Sequence, residues 1–135
     1  MPLLCKAALI ATMALAGLQQ ARFESGDFKG FTKSRSETII CRLSDPIGVR
    51  SVQGVITLKS TPLEGVLFEI RSGEHERIWA AKTNAQGHFK IRFISPGTYA
   101  FKATLDGFQS VVGTIIVSDK AGKKSVISIE MPLGV

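Results

Sequence analysis

From Glu37 onward, apolar and polar residues alternate in short runs broken by turn residues. In 88–93, Phe89, Ile91 and Phe93 share one side, and His88, Lys90 and Arg92 share the other. In 99–105, Tyr99, Phe101, Ala103 and Leu105 oppose Lys102 and Thr104. Val66, Phe68 and Ile70 oppose Glu69 and Arg71, while Ile127, Ile129 and Met131 oppose Ser128 and Glu130. A period of two is the signature of a half-buried strand, and one apolar with one solvated face is the antiparallel pattern. The runs predict strands at 37–43, 52–59, 66–71, 77–82, 88–93, 99–105, 110–117 and 125–131.

The punctuation is Asp45-Pro46-Ile47-Gly48, Ser60-Thr61-Pro62, Ser72-Gly73, Asn84 to Gly87, Ser95-Pro96-Gly97, Asp106-Gly107 and Lys120-Ala121-Gly122. Turn signals at roughly 8–12 residue spacing mark a β-sandwich or barrel. The expected class is therefore all-β, and no window past residue 36 sustains a helical period. The runs 88–93 and 99–105 are expected to pair as a hairpin through the loop Ile94 to Thr98. Phe93 would then stand opposite Tyr99, and a one-residue slip would turn every side chain to the other face. In that register Lys90 lies opposite Lys102 and His88 opposite Thr104, with Arg92 diagonal to Lys102. These four basic residues make one outward face a candidate surface for an anionic partner.

Several motifs in order resemble a known family. They are Val52-Gln53-Gly54-Val55-Ile56, Thr61-Pro62-Leu63-Glu64-Gly65-Val66, Thr83-Asn84 through Gly87-His88-Phe89, Pro96-Gly97-Thr98-Tyr99 and Gly107-Phe108. Together they are similar to the carboxypeptidase regulatory-like domain, over about residues 50–131. The resemblance implies a transthyretin-like (prealbumin-like) Greek-key sandwich of seven or eight strands. The motifs themselves are turn and close-approach devices, so what transfers is a fold.

The N-terminus has a different character. Met1 to Lys6 carries one positive charge, Ala7 to Leu18 carries none, and Ala14-Leu15-Ala16 offers small residues for cleavage. That is the three-part pattern of a secretory signal peptide, and the run is shorter than the ~20 residues a bilayer span needs. The expected organisation is a signal peptide at 1–16, a linker or arm at 17–36 and a sandwich domain at 37–135. Export to the periplasm or medium follows, with no stable membrane span after cleavage. From Arg22 to Ser36 the arm is polar apart from Phe23, Phe28 and Phe31, which could staple it to the domain or meet a partner. With Cys5 removed, Cys41 stands alone in the apolar run Thr38 to Leu43, preferentially as a small buried hydrophobe. An intermolecular bridge or a reactive thiol is the alternative.

The formal charge of +6 is spread along the chain, with Lys123-Lys124 the only adjacent basic pair in the domain. A nucleic-acid footprint needs clustering, so none is expected. Of two histidines, His75 sits between Glu74 and Glu76 in a polar loop, too few ligands for a metal. No cofactor is expected. No Gly-x-Ser-x-Gly elbow occurs. Hydroxyisourate hydrolases, which share the implied fold, carry several histidines and a Tyr-Arg-Gly-Ser ending. This chain ends Met131-Pro132-Leu133-Gly134-Val135. An isopeptide bond would need an asparagine in the last strand, and the chain's one asparagine is Asn84, in a turn. Carbohydrate binding would rely on aromatic platforms, for which Trp79 and Phe108 are the candidates.

The expected protein is an exported, non-catalytic sandwich, used as a binding or accessory module of the cell envelope. Its candidate binding residues are His88, Lys90, Arg92, Lys102, Trp79 and Phe108. Its candidate partners are an acidic glycan, a phosphate-bearing envelope polymer or an acidic protein. A carbohydrate-binding module and a structural cell-surface component are the alternatives.

Overall fold

The computed structural model describes residues 6–7, 18–21, 30–34, 40–72, 77–122 and 126–133. Among them are twelve strands and no helix. In chain order they are β1 (Lys6–Ala7), β2 (Leu18–Ala21), β3 (Ile40–Leu43), β4 (Ile47–Val49), β5 (Val52–Leu58) and β6 (Thr61–Pro62). There follow β7 (Leu67–Ser72), β8 (Ile78–Lys82), β9 (His88–Ile91), β10 (Gly97–Thr104), β11 (Ser110–Val117) and β12 (Ile127–Glu130).

The strands form two sheets. The larger runs β2-β3-β11-β10-β7-β8, with β4 continuing the line of β3 along β11. The smaller runs β1-β12-β5-β6, with β9 also on β5. Most pairs are antiparallel, but β3 and β4 run parallel to β11, and β12 runs parallel to β5. Each of the eight expected runs holds one strand. The additional strands are short: β1, β2, β4 and β6. Ile47 and Val49 in β4 are buried, so the chain bends at Ser44-Asp45-Pro46 and rejoins the same neighbour.

The β-sandwich core lies between the sheets. Phe68, Ile70, Phe101, Val111 and Ile115 come from the larger, and Val52, Ile56, Phe89, Ile127 and Ile129 from the smaller. Their apolar faces leave water together, which is the main favourable term for such a fold. Phe68 holds the centre. Its ring stacks on Phe89 across the gap at 4.2 Å and on Phe101 within its own sheet at 5.3 Å. Gly54 faces Ile127 on the neighbouring strand, where any Cβ would sit inside the Ile127 carbonyl. The parallel β5–β12 pair therefore requires a residue without a side chain there.

A second, smaller cluster covers the outer face of the larger sheet. Phe31 packs there with Ile40 and Val112, against half-buried Ile78 and Ala100. Arg71 lies over the Phe31 ring at 5.8 Å. Thr32 donates its backbone N–H and its hydroxyl to the two carboxylate oxygens of Glu69, at 3.0 and 3.1 Å. Residues 30–34 thus strap down a face that alternation alone assigns to solvent. Phe23 and Phe28 lie outside the described residues, as does nearly all of the expected signal segment.

Three expectations are corrected. First, β9 and β10 are not a hairpin: β9 pairs with β5, while β10 pairs with β11 and β7 in the other sheet. Second, Phe93 is not in the core. Strand β9 stops at Ile91, and Phe93 is 96% exposed with φ of +61°. Third, Cys41 does not stand alone as a thiol. It is buried, as expected of a small hydrophobe, and it is disulfide-bonded. The chain's other cysteine, Cys5, lies outside the described residues.

Candidate functional site

The site grows from the turn that carries the chain from the larger sheet to the smaller. Asn84 accepts two backbone N–H groups on its Oδ1, from Gln86 at 2.9 Å and His88 at 3.0 Å. Its backbone N–H donates to the His88 carbonyl, and the Gly87 N–H donates to the Asn84 carbonyl. A short polar side chain that mimics a backbone turn is what asparagine supplies. Gly87 takes φ of +78°, and a Cβ there would come within 2.7 Å of the Ile56 carbonyl oxygen. Just before the turn, buried Thr83 donates its hydroxyl to the Leu63 carbonyl at 2.6 Å and accepts the Val66 N–H at 2.9 Å. The turn is thereby tied to the loop 63–66.

This turn sets Lys82, the last residue of β8, near His88, the first of β9. Across β9, His88 stands opposite Val55 and Lys90 opposite Gln53, on the outward face of the smaller sheet. A groove of about 550 Å³ lies here. Lys82, His88 and Lys90 give its lining three basic side chains, Gln53 and Asn84 give it amides, and Val126 gives it an exposed apolar wall. Among the described residues no aspartate or glutamate lines it. Such a concave surface carries one sign of charge and focuses its field on anions.

The expected site residues therefore separate. His88 and Lys90 come together in the groove, both exposed. Arg92 is exposed but lies beyond the end of β9, outside the groove lining. Lys102 is removed from the set. It is 0% exposed and stands in β10 opposite Glu69 and Val112, not opposite Lys90. Its face is the strapped one, so a polar residue on the outward side of a strand is here a buried residue. Lys82 and Gln53 belong to the groove and escape a reading made strand by strand. The signal for Lys82 was its place immediately before the Thr83-to-Gly87 turn, which folds residues 82 and 88 together.

The aromatic candidates are not open platforms. Trp79 is half-buried, meets Tyr99 edge-on at 6.0 Å and is covered by Arg77 at 4.8 Å. Phe108 packs against the core and its backbone bridges to Leu133. Phe89 lines the groove, but its ring is stacked inward on Phe68. Among the described residues no three His, Cys, Asp or Glu side chains gather where they could hold a metal. His75 and its flanking glutamates lie outside the described residues. No helix among the described residues is long and apolar enough to cross a membrane.

Compared with known families, residues 51–132 match the sequence model of the carboxypeptidase regulatory-like domain. No curated protein matches the chain.

Proposed function

This chain belongs to the carboxypeptidase regulatory-like domain family, a non-catalytic family of transthyretin-like fold, and from that premise we propose that it is an exported, non-enzymatic accessory module that binds an anionic polymer in the β5–β9 groove. The observation that carries the reading is the groove lining, which among the described residues holds three basic side chains, two amides and no carboxylate. Long-range attraction supplies affinity, and the amides of Gln53 and Asn84 suit the hydroxyl and carbonyl groups of a glycan. With no aromatic ring among the described residues open to the groove, recognition rests on charge. The ligand is an acidic glycan or a phosphate-bearing envelope polymer.

The test is retention on a heparin column for the parent and for Lys82→Ser, Lys90→Ser. The double variant should elute at distinctly lower salt, because two screened attractions are lost. Unchanged elution rejects the groove as the site.

Export rests on the charged start, the uncharged run and the small residues at Ala14 and Ala16. Cleavage after Ala16 would remove β1 and leave β2 to β12, so both sheets would persist. A chain that begins at Gly17 keeps one cysteine, so cleavage there and a Cys41 disulfide within one chain are alternatives. Intact-mass measurement on protein recovered from the envelope or medium separates them. Recovery of a full-length chain from the cytosol alone rejects export.

A further inference from the structure

We propose that the end of the sandwich bearing Phe93 docks on an anionic lipid bilayer, a role distinct from the groove. The register defines this end. Ile91 pairs with Val52, Gly97 with Val117 and Tyr99 with Ser72, while Ile78 pairs with Arg71. Residues 50–51, 72, 77, 92–96 and 118–122 therefore gather at this end.

Phe93 projects from this end, 96% exposed. Its exposure is built into the fold and does not come from a loose loop. Next to it Ile94 packs against the core, and the Tyr99 hydroxyl donates to the Ser95 carbonyl at 2.6 Å. Between these anchors Phe93 holds φ of +61°, a backbone region that a bulky side chain rarely adopts. Strain kept at an exposed aromatic points from structure to function.

The surroundings decide the occupant. Arg50, Arg77, Arg92 and Lys120 are exposed at the same end, and Asp119 is the acid there among the described residues. Glu74, Glu76, Lys123 and Lys124 lie outside those residues. Arg50 is oriented by hydrogen bonds to the carbonyls of Asp119 and Ala121, at 2.9 and 3.3 Å. Among the described residues the other exposed large apolar side chains are Ile116, opposite Thr98 near this end, Val126, which lines the groove, and Leu133, bridged through Phe108 near the opposite end. One projecting ring and one partly exposed isoleucine beside a cationic surround offer little of the contiguous apolar core that a protein partner needs. A bilayer surface asks for no matching pocket. Its acyl boundary takes the ring, and its headgroups meet all the cations at once.

The experiment is co-sedimentation with vesicles of phosphatidylcholine, alone or mixed with phosphatidylglycerol. The parent should bind the mixed vesicles and bind phosphatidylcholine weakly. Phe93→Gly should reduce partition about tenfold or more through loss of the ring. Its Tm should equal or exceed the parent's, since glycine accepts the same backbone angle freely. Phe93→Trp should restore binding. Arg77→Ser, Arg92→Ser should weaken binding about fivefold per charge. Lys82→Ser, Lys90→Ser should leave vesicle binding unchanged, and Phe93→Gly should leave heparin retention unchanged, so either proposal can fail alone. A parent that does not sediment with the mixed vesicles overturns the docking proposal, and so does a Phe93→Gly variant that sediments as well as the parent. A fall in Tm for Phe93→Gly overturns it too, because the ring would then be serving the fold.

Discussion

Replacing Thr83 by valine isolates one polar knot beneath the groove. Valine matches threonine in shape and favours strands, so neither a cavity nor backbone propensity enters. What disappears is a hydroxyl that donates to the Leu63 carbonyl at 2.6 Å and accepts the Val66 N–H at 2.9 Å. Val66 is fully buried, so its N–H would be left without a partner in an apolar site. Such an orphaned group costs about 1–3 kcal/mol. Leu63 is only half-buried, so water can partly replace the hydroxyl at its carbonyl. The combined loss is about 2–4 kcal/mol, a large share of the ~5–15 kcal/mol that holds a typical domain. Thr83→Ser keeps the hydroxyl and loses one methyl, worth about 1 kcal/mol. Urea unfolding followed by the fluorescence of Trp79, the chain's one tryptophan, measures both variants. Hydrogen exchange at the Val66 amide locates the effect. If valine proves no more harmful than serine, the two hydrogen bonds do not hold the 63–66 loop.

Two further outcomes follow from the core and from Tyr99. Phe68→Ala removes the ring stacked on both Phe89 and Phe101 and should cost about 3–5 kcal/mol in the same urea assay, whereas a loss under about 1 kcal/mol would show that the sheets do not meet at this ring. Burial pushes the phenol of Tyr99 above its ordinary pKa of 10.0. The folded state thus holds the proton more tightly than the unfolded chain. Stability from this source is complete below pH 10 and falls as pH rises above it, where the unfolded chain ionises first. With one tyrosine in the chain, phenolate absorbance should show a midpoint above 10 when folded and a return to 10 in denaturant.

Alternation located the main strands well, because one face of each lies against a single core. Phe89, Ile91, Tyr99 and Phe101 are all buried. Gly87, within one of the turn motifs, takes a positive φ. Sequence could not show which strands are neighbours. Runs 88–93 and 99–105 are close in the chain, which favours pairing, yet the chain crosses between sheets at Phe93. Period-two reasoning carried the inward face two residues beyond Ile91, where the strand has already ended. For Lys102, alternation gave the correct side of the sheet and the wrong environment. A polar outward face reads as solvated until something covers it, and Phe31 and Thr32 reach it from some seventy positions away in the chain. The groove was half legible. His88 and Lys90 share a strand face, but Lys82 joins them only through the turn.

The parallel pairing of β12 with β5 bears on how the chain is made. Ile127 meets Gly54 and Ile129 meets Ile56, partners separated by most of the domain. Strand β11 closes similarly distant contacts with β3 and β4. Contacts so remote in sequence require long loops to close before any burial rewards them, which places the protein among slow folders. On the ribosome, β5 emerges long before the strand that will shield its edge, and Ile127, Ile129 and Met131 arrive with the last segment of the core. Until then the smaller sheet lacks a central member, and its unpaired edge is open to other chains. Late completion of the sheet makes an early, incompletely folded chain the form in which this protein is most exposed to aggregation and to capture by chaperones.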